Sequence, residues 1–241
     1  MTDGTIRILL ADDHAMVREG LAALVAKDPA IEVVGQCGDG LKVLELVEQT
    51  RPDVLVLDIT MPGLNGVDVC RELTRKAKKR TPAPVDPSGG LGATPAPRQV
   101  PAVLILTMHD DEQFVSRTLA NGAAGYLLKE AAGDQLCDAI KRVAKGERYL
   151  GPGTPAAALR EPGAAGGDPY DSLTSRERQV LQLVAEGLTN REVAEELKLA
   201  LKTVDTHRTR LMRKLHIHDQ TSLVKFAIRR GIVGCGRNRR E

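Results

Sequence analysis

The 241-residue chain has a formal net charge of +2, which leaves room for two domains of ordinary size. No apolar run approaches the roughly 18 residues of a membrane span, the start MTDGT lacks a signal-peptide core, and the expected compartment is the cytoplasm. Cys37, Cys70, Cys137 and Cys235 are too scattered to suggest a disulfide framework or a zinc site, while residues 170–241 carry 15 Lys+Arg against 9 Asp+Glu and residues 1–169 carry 19 against 23.

In chain order, apolar runs of strand length occupy residues 6–10, 31–37, 54–59, 102–108 and 125–128. Helical spacing separates them, as in Val17, Leu21, Leu24 and Val25, then Val43, Leu44 and Val47. Runs that are apolar on both faces fit strands covered by helices on each side. The expected fold of residues 1–150 is therefore α/β: a flavodoxin-like, doubly wound, five-stranded parallel sheet of order 2-1-3-4-5. Two stretches break the pattern, with nine Pro or Gly in residues 81–101 and nine in residues 151–169. The first reads as an insertion near 80–100 inside the domain, the second as a flexible linker.

Residues 170–235 show no strand pattern but four helical stretches, near 175–186, 190–197, 201–215 and 220–230. Thr174 with Glu177, and Thr189 with Glu192, have the spacing of capping boxes, and Gly187 stops the first helix. The second and third helices are joined by about three residues, the spacing of a helix-turn-helix in an all-α second domain. Residues 236–241 form a basic tail.

In a sheet of order 2-1-3-4-5, ligands bind beyond the carboxyl ends of the strands. Asp12 and Asp13 end strand 1, Asp58 ends strand 3, Thr107 ends strand 4 and Lys129 ends strand 5, so all are expected on one rim. Crowded carboxylates repel one another unless a hard cation neutralises them, and Mg²⁺ suits oxygen donors. One carboxylate can then attack a phosphoryl group. Asp58 is the best nucleophile, since it stands alone at the end of the central strand before MPGLNG, where Pro62, Gly63 and Gly66 let the backbone turn away. Lys129 can pair with a phosphoryl oxygen and Thr107 can donate a hydroxyl hydrogen bond. By residue type alone, Tyr126 reads as a surface-edge aromatic with a wet hydroxyl.

The motifs LADDH, LDITMPGLNG, ILTMHDD and GYLLKE resemble those of the receiver domain of two-component response regulators, over residues 6 to about 150 apart from the insertion. The resemblance implies that Asp13, Asp58 and the Thr60 backbone carbonyl ligate Mg²⁺ with Asp12 close by. It also implies that Asp58 is phosphorylated by a partner histidine kinase, and that Thr107 and Tyr126 form the switch.

In the third C-terminal helix Val204, Leu211 and Leu215 recur on one side and Lys202, Asp205, Thr206, Thr209, Arg210, Arg213 and Lys214 lie largely elsewhere, a face suited to duplex DNA. With Thr203 and Arg208 these are the expected DNA contacts. LTSRERQVLQLVAEGLTNREVAEEL followed by KTVDTHRTRLMRKLHI resembles the LuxR-type helix-turn-helix of NarL/FixJ-class response regulators. Ala200 and Leu201 depart from the Ser-Pro-type start of that class, and the missing cap costs the helix about 0.5–2 kcal/mol. The expected function is transcription regulation through phosphorylation-dependent homodimerisation on promoter DNA, without turnover. The rivals are a Mg²⁺-dependent phosphohydrolase and a receiver with an RNA- or protein-binding output.

Overall fold

The computed structural model describes residues 4–79, 100–108, 112–154 and 169–233. The bulk of the expected insertion, most of the linker and the basic tail lie outside the described residues. In the first domain β1 (Ile6–Ala11), α1 (Ala15–Val25), β2 (Ile31–Cys37), α2 (Gly40–Thr50), β3 (Val54–Leu57) and α3 (Gly66–Lys79) alternate. They continue as β4 (Ala102–Thr107), α4 (Glu112–Ala120), β5 (Gly125–Leu128), α5 (Ala132–Ala144) and β6 (Tyr149–Leu150).

The sheet is parallel throughout, in the order β2-β1-β3-β4-β5-β6. The expected five-stranded order is present, and β6 adds a sixth strand of two residues beside β5. Side chains alternate between faces with period two. Leu9, Leu55, Leu57, Val103, Ile105 and Tyr126 pack with α2, α3 and α4 on one face. Ile8, Leu10, Val54, Val56, Leu104, Leu106 and Leu127 pack with α1 and α5 on the other. Burial on both sides is why these strands read as continuous apolar runs.

The second domain is all helical. A 3-10 turn (Pro169–Ser172) leads into α6 (Ser175–Ala185), α7 (Asn190–Glu196), α8 (Leu201–Leu215) and α9 (Gln220–Arg229). Val180, Leu181, Val184, Val193, Val204, Leu211, Leu215 and Leu223 form its core. Both expected capping boxes are formed, with the hydroxyls of Thr174 and Thr189 accepting from the backbone of Glu177 and Glu192. Ala200 gives α8 no side-chain cap.

The register bears on the insertion. Ala102 pairs with Val54, and its N–H donates to the Asp53 carbonyl at 2.9 Å, so the chain enters β4 at the amino ends of the strands. Asp58 follows β3 at the opposite end. Closing a loop costs only a logarithm of its length. Joining Arg80 to Val100 through a short turn is expected to leave phosphoryl uptake unchanged and to keep or slightly raise the melting temperature. Loss of uptake in a folded deletion protein would place the insertion at the Asp58 rim.

Candidate functional site

The carboxyl ends of β1, β3 and β5 bring Asp12, Asp58 and Lys129 into direct contact. Lys129 Nζ lies 2.6 Å from Asp12 Oδ2 and 2.8 Å from Asp58 Oδ2. The Ile59 N–H donates to Asp58 Oδ1 at 2.7 Å, and the His14 N–H donates to Asp12 Oδ1 at 2.9 Å. Asp12 is 2% exposed and Asp58 5%, so both charges are almost out of water. Burial pushes the Asp58 carboxyl above its ordinary range; the Lys129 ammonium opposes this, while Asp12 and Asp13 push it further. Burial alone would lower the Lys129 ammonium, but the charges of Asp58 and Asp12 outweigh it and hold it above its usual value.

This site fits a hard divalent cation. Asp12, Asp13, His14 and Asp58 each offer a donor atom, all within 4.8 Å of one another. Three carboxylates face one buried ammonium, so the pocket is short of positive charge, and oxygen donors match Mg²⁺. Thr60 stands half-buried in the loop after Asp58. The imidazole of His14, with Nδ1 2.7 Å from Asp13 Oδ1, is a neighbour that the sequence reading did not include.

The loop after Asp58 turns as MPGLNG suggests. Gly63 has φ +78°, in the left-handed region that favours glycine. A Cβ on Gly66 would come within 2.2 Å of the Asp58 carbonyl oxygen, so only glycine lets α3 begin this close to the phosphoacceptor candidate. Thr107 ends β4 and is fully buried. Tyr126 is 0% exposed and packs in the same core cluster as Leu57 and Ile59. The surface-edge reading of Tyr126 is therefore corrected, because its position on β5 points it into the layer under α3 and α4.

On α8, Lys202, Thr203, Asp205, Thr206, Thr209, Arg210 and Arg213 are exposed. Asp205 accepts from Asn190 Nδ2 at 2.6 Å, and Arg208 donates to Asn190 Oδ1 at 2.7 Å, which ties α8 to α7. Lys214 differs from the expectation of a solvent-facing phosphate contact: its Nζ lies 2.6 Å from Glu177 Oε2 and donates to the Ser172 carbonyl at 2.9 Å. A nearly buried glutamate on the facing helix holds this partly exposed ammonium.

That pair sets a pH response. Burial would raise the Glu177 carboxyl, but Lys214 and the Thr174 backbone and hydroxyl outweigh it and hold the carboxyl below its usual value. A folded-state value below the unfolded one contributes stability that is complete above the unfolded value and lost as pH falls through the folded one. Thermal melts of Glu177→Gln are expected to show a shallower loss of stability in the acid range below about pH 5 than the wild type, since Glu177 no longer contributes its share. A variant with the wild-type acid profile would remove Glu177 from this role.

Sequence reasoning missed the contact between the domains. Asp68 of α3, 2% exposed, accepts from the Tyr170 hydroxyl and from Asn65 Nδ2 at 2.9 Å, and lies 3.6 Å from Arg178 Nε. Gln182 of α6 accepts from the Asn65 N–H at 2.7 Å and donates to the Met61 carbonyl at 2.6 Å. Glu72 accepts from Ser175, and Arg71 pairs with Asp171. These residues look like ordinary solvated positions in sequence, and the burial of Asp68 and Glu72 on α3 and of Arg178 and Gln182 on α6 reveals them.

Comparison with known proteins agrees with both halves. Residues 8–85 match the response regulator receiver domain, and residues 171–227 match the bacterial regulatory proteins of the luxR family. The chain is 35% identical to the transcriptional regulatory protein LiaR of Bacillus subtilis (strain 168), over 95% of this chain and 99% of that one. It is 37% identical to the transcriptional regulatory protein MctR of Rhizobium johnstonii, over 95% of each. A solved two-component response regulator of the LuxR family from Aurantimonas sp. SI85-9A1 is 28% identical, covering 66% of this chain and 96% of that one with a TM-score of 0.51. With its acidic rim at the carboxyl ends of a parallel sheet and its helix-turn-helix beyond, this chain belongs to the NarL/FixJ-class two-component response regulators.

Proposed function

We propose that Asp58 takes a phosphoryl group from a partner histidine kinase and that this controls homodimerisation and duplex DNA binding by α8. The observation that carries the reading is the buried Asp58 carboxylate at the end of the central strand, held by Lys129 beside Asp12 and Asp13. Asp12, Asp13, Asp58 and the Thr60 backbone carbonyl hold Mg²⁺ in this reading. When bound, the ion neutralises the crowded carboxylates and the charge that spreads over the transferred phosphoryl oxygens. An Asp58 oxygen forms a bond to phosphorus as the P–N bond to the kinase's histidine breaks and the imidazole leaves with the bonding pair. The Lys129 ammonium pairs with a phosphoryl oxygen, and the Thr107 hydroxyl donates to another. Thr107 and Tyr126 form the two-state element that the new charge biases.

The exposed Lys202, Thr206, Thr209, Arg210 and Arg213 on α8 support a major-groove role, with threonines against base edges and cations on phosphates. Relatives named as transcriptional regulatory proteins favour duplex DNA over RNA as the output. Two measurements test the reading. Incubation with excess acetyl phosphate and Mg²⁺ is expected to stop at one phosphoryl group per chain, whereas sustained release of phosphate over many turnovers would make this a phosphohydrolase. In competition at fixed salt, duplex DNA is expected to displace single-stranded RNA, and the reverse order would overturn the DNA assignment.

A further inference from the structure

The loop between Asp58 and α3 is held by two side chains of the DNA-binding domain. Gln182, 1% exposed, donates from Nε2 to the Met61 carbonyl at 2.6 Å, and its Oε1 accepts from the Asn65 N–H at 2.7 Å. Gln182 Nε2 also donates to Glu186 Oε1 at 2.9 Å, and that oxygen accepts from the Gly63 N–H at 2.9 Å. Backbone groups of residues 61, 63 and 65 thus find their partners on α6 and on Glu186 at its end. The two ends of the loop are fixed within the receiver, where the Asp58 N–H donates to the Ala11 carbonyl and the Gly66 N–H donates to the Ile59 carbonyl, both at 2.8 Å.

We infer that Gln182 is a positioning residue for the cation site of the receiver, so that docking of the DNA-binding domain and divalent-cation affinity are coupled. The inference rests on the reading of the Thr60 carbonyl as a ligand. That carbonyl belongs to the peptide joining Thr60 to Met61, immediately before the carbonyl that Gln182 holds. Peptide units are planar, so the remaining freedom of the Thr60 carbonyl lies in the torsions about its neighbouring Cα atoms. Fixing the Met61 carbonyl on one side, with Asp58 anchored on the other, narrows those torsions. The gain is reciprocal: whatever α6 adds to cation affinity, the cation adds to docking.

The test uses the full-length chain with Mn²⁺ as the probe, free ion being counted from its solution EPR signal. Gln182→Met keeps the side-chain volume and removes both loop bonds. It is expected to bind Mn²⁺ about fivefold more weakly than wild type, at the lower end of typical coupling. Fluorescent labels on the two domains supply a readout that simple packing would not move. Mn²⁺ is expected to increase the docked population of the wild type and to lose that effect in Gln182→Met. Glu186→Ala, which removes the Gly63 bond and one bond to Gln182 but leaves Gln182 its bonds to Met61 and Asn65, is expected to show a smaller loss and serves if Gln182→Met does not fold. Affinities equal to wild type in the folded variants would overturn the inference. Failure of the cation-site reading is separate: it would appear as an Asp13→Ala protein that binds Mn²⁺ as tightly as wild type.

Discussion

Asp58→Ala is expected to give a folded chain that takes up no phosphoryl group from acetyl phosphate in Mg²⁺, a loss of at least about a hundredfold in labelling rate. Lys129 keeps Asp12 at 2.6 Å, so its buried ammonium is not stranded. Asp58 is itself held above its usual carboxyl range by burial, so its removal relieves a charge that folding does not favour. The melting temperature is therefore expected to stay level or rise while uptake disappears, a split that misfolding cannot produce. Intact-mass spectrometry reads the uptake. Full labelling of this variant would move the phosphoacceptor to Asp12 or Asp13. Lys129→Ala is the companion case: it retains the nucleophile but leaves Asp58 and Asp12 without their shared cation, and its labelling is expected to be uncoupled from DNA affinity.

Asp68→Ala is expected to separate the two domains. Asp68 is buried at their contact, where burial pushes its carboxyl up against the opposing pull of the Tyr170 hydroxyl, Arg178 and Arg71. Its removal leaves Arg178, 6% exposed, without its carboxylate. Breaking one partner of a buried ion pair costs about 3–5 kcal/mol where the survivor stays buried. Backbone carbonyls of Tyr170 and Asp171 still accept from Arg178 Nη2, so the lower part of that range applies. The chain also has a cheaper response than unfolding, which is to open the contact and let water reach the guanidinium. Calorimetry is expected to resolve two transitions where the wild type shows one, with a larger radius of gyration by small-angle scattering. One transition at the wild-type temperature would show that Asp68 does not hold the domains together. Asp68→Asn, which keeps an acceptor for Tyr170, is expected to fall between the two.

The parallel sheet was legible because strands covered on both faces are apolar along their length, as in Val54–Leu57 and in Ala102–Thr107 up to its last residue. The acidic rim was legible for a related reason: once the strand order is known, the residues after each strand share one edge. Strand β6 escaped because two residues carry no periodicity. Tyr126 was named for the switch through the resemblance, but its burial was not legible from residue type, which favours a wet hydroxyl, whereas its face of β5 is set by register with Ile105. Lys214 was assigned to DNA because its helix is basic, yet its ammonium is set by Glu177 across the fold. The contact through Asp68, Tyr170, Arg178 and Gln182 joins residues more than 100 positions apart, and polar side chains in helices read as solvated until a facing surface is known.

The two margins of the sheet carry a consequence for self-association. An open row of backbone N–H and C=O groups invites strand addition by another chain, and short or irregular margins suppress it. Here β6 offers two residues on one side, while on the other β2 places Glu32 and Gln36 in water, and its pairing with β1 slips register between Ile8 and Leu9. The two-residue β6 is too short, and the seven-residue β2 too polar and irregular, to give a second copy a long, flat template, which guards the receiver against amyloid-like stacking. In the proposed homodimer, pairing of two receivers is thereby left to helical faces, whose contacts can be made and broken without tearing the sheet.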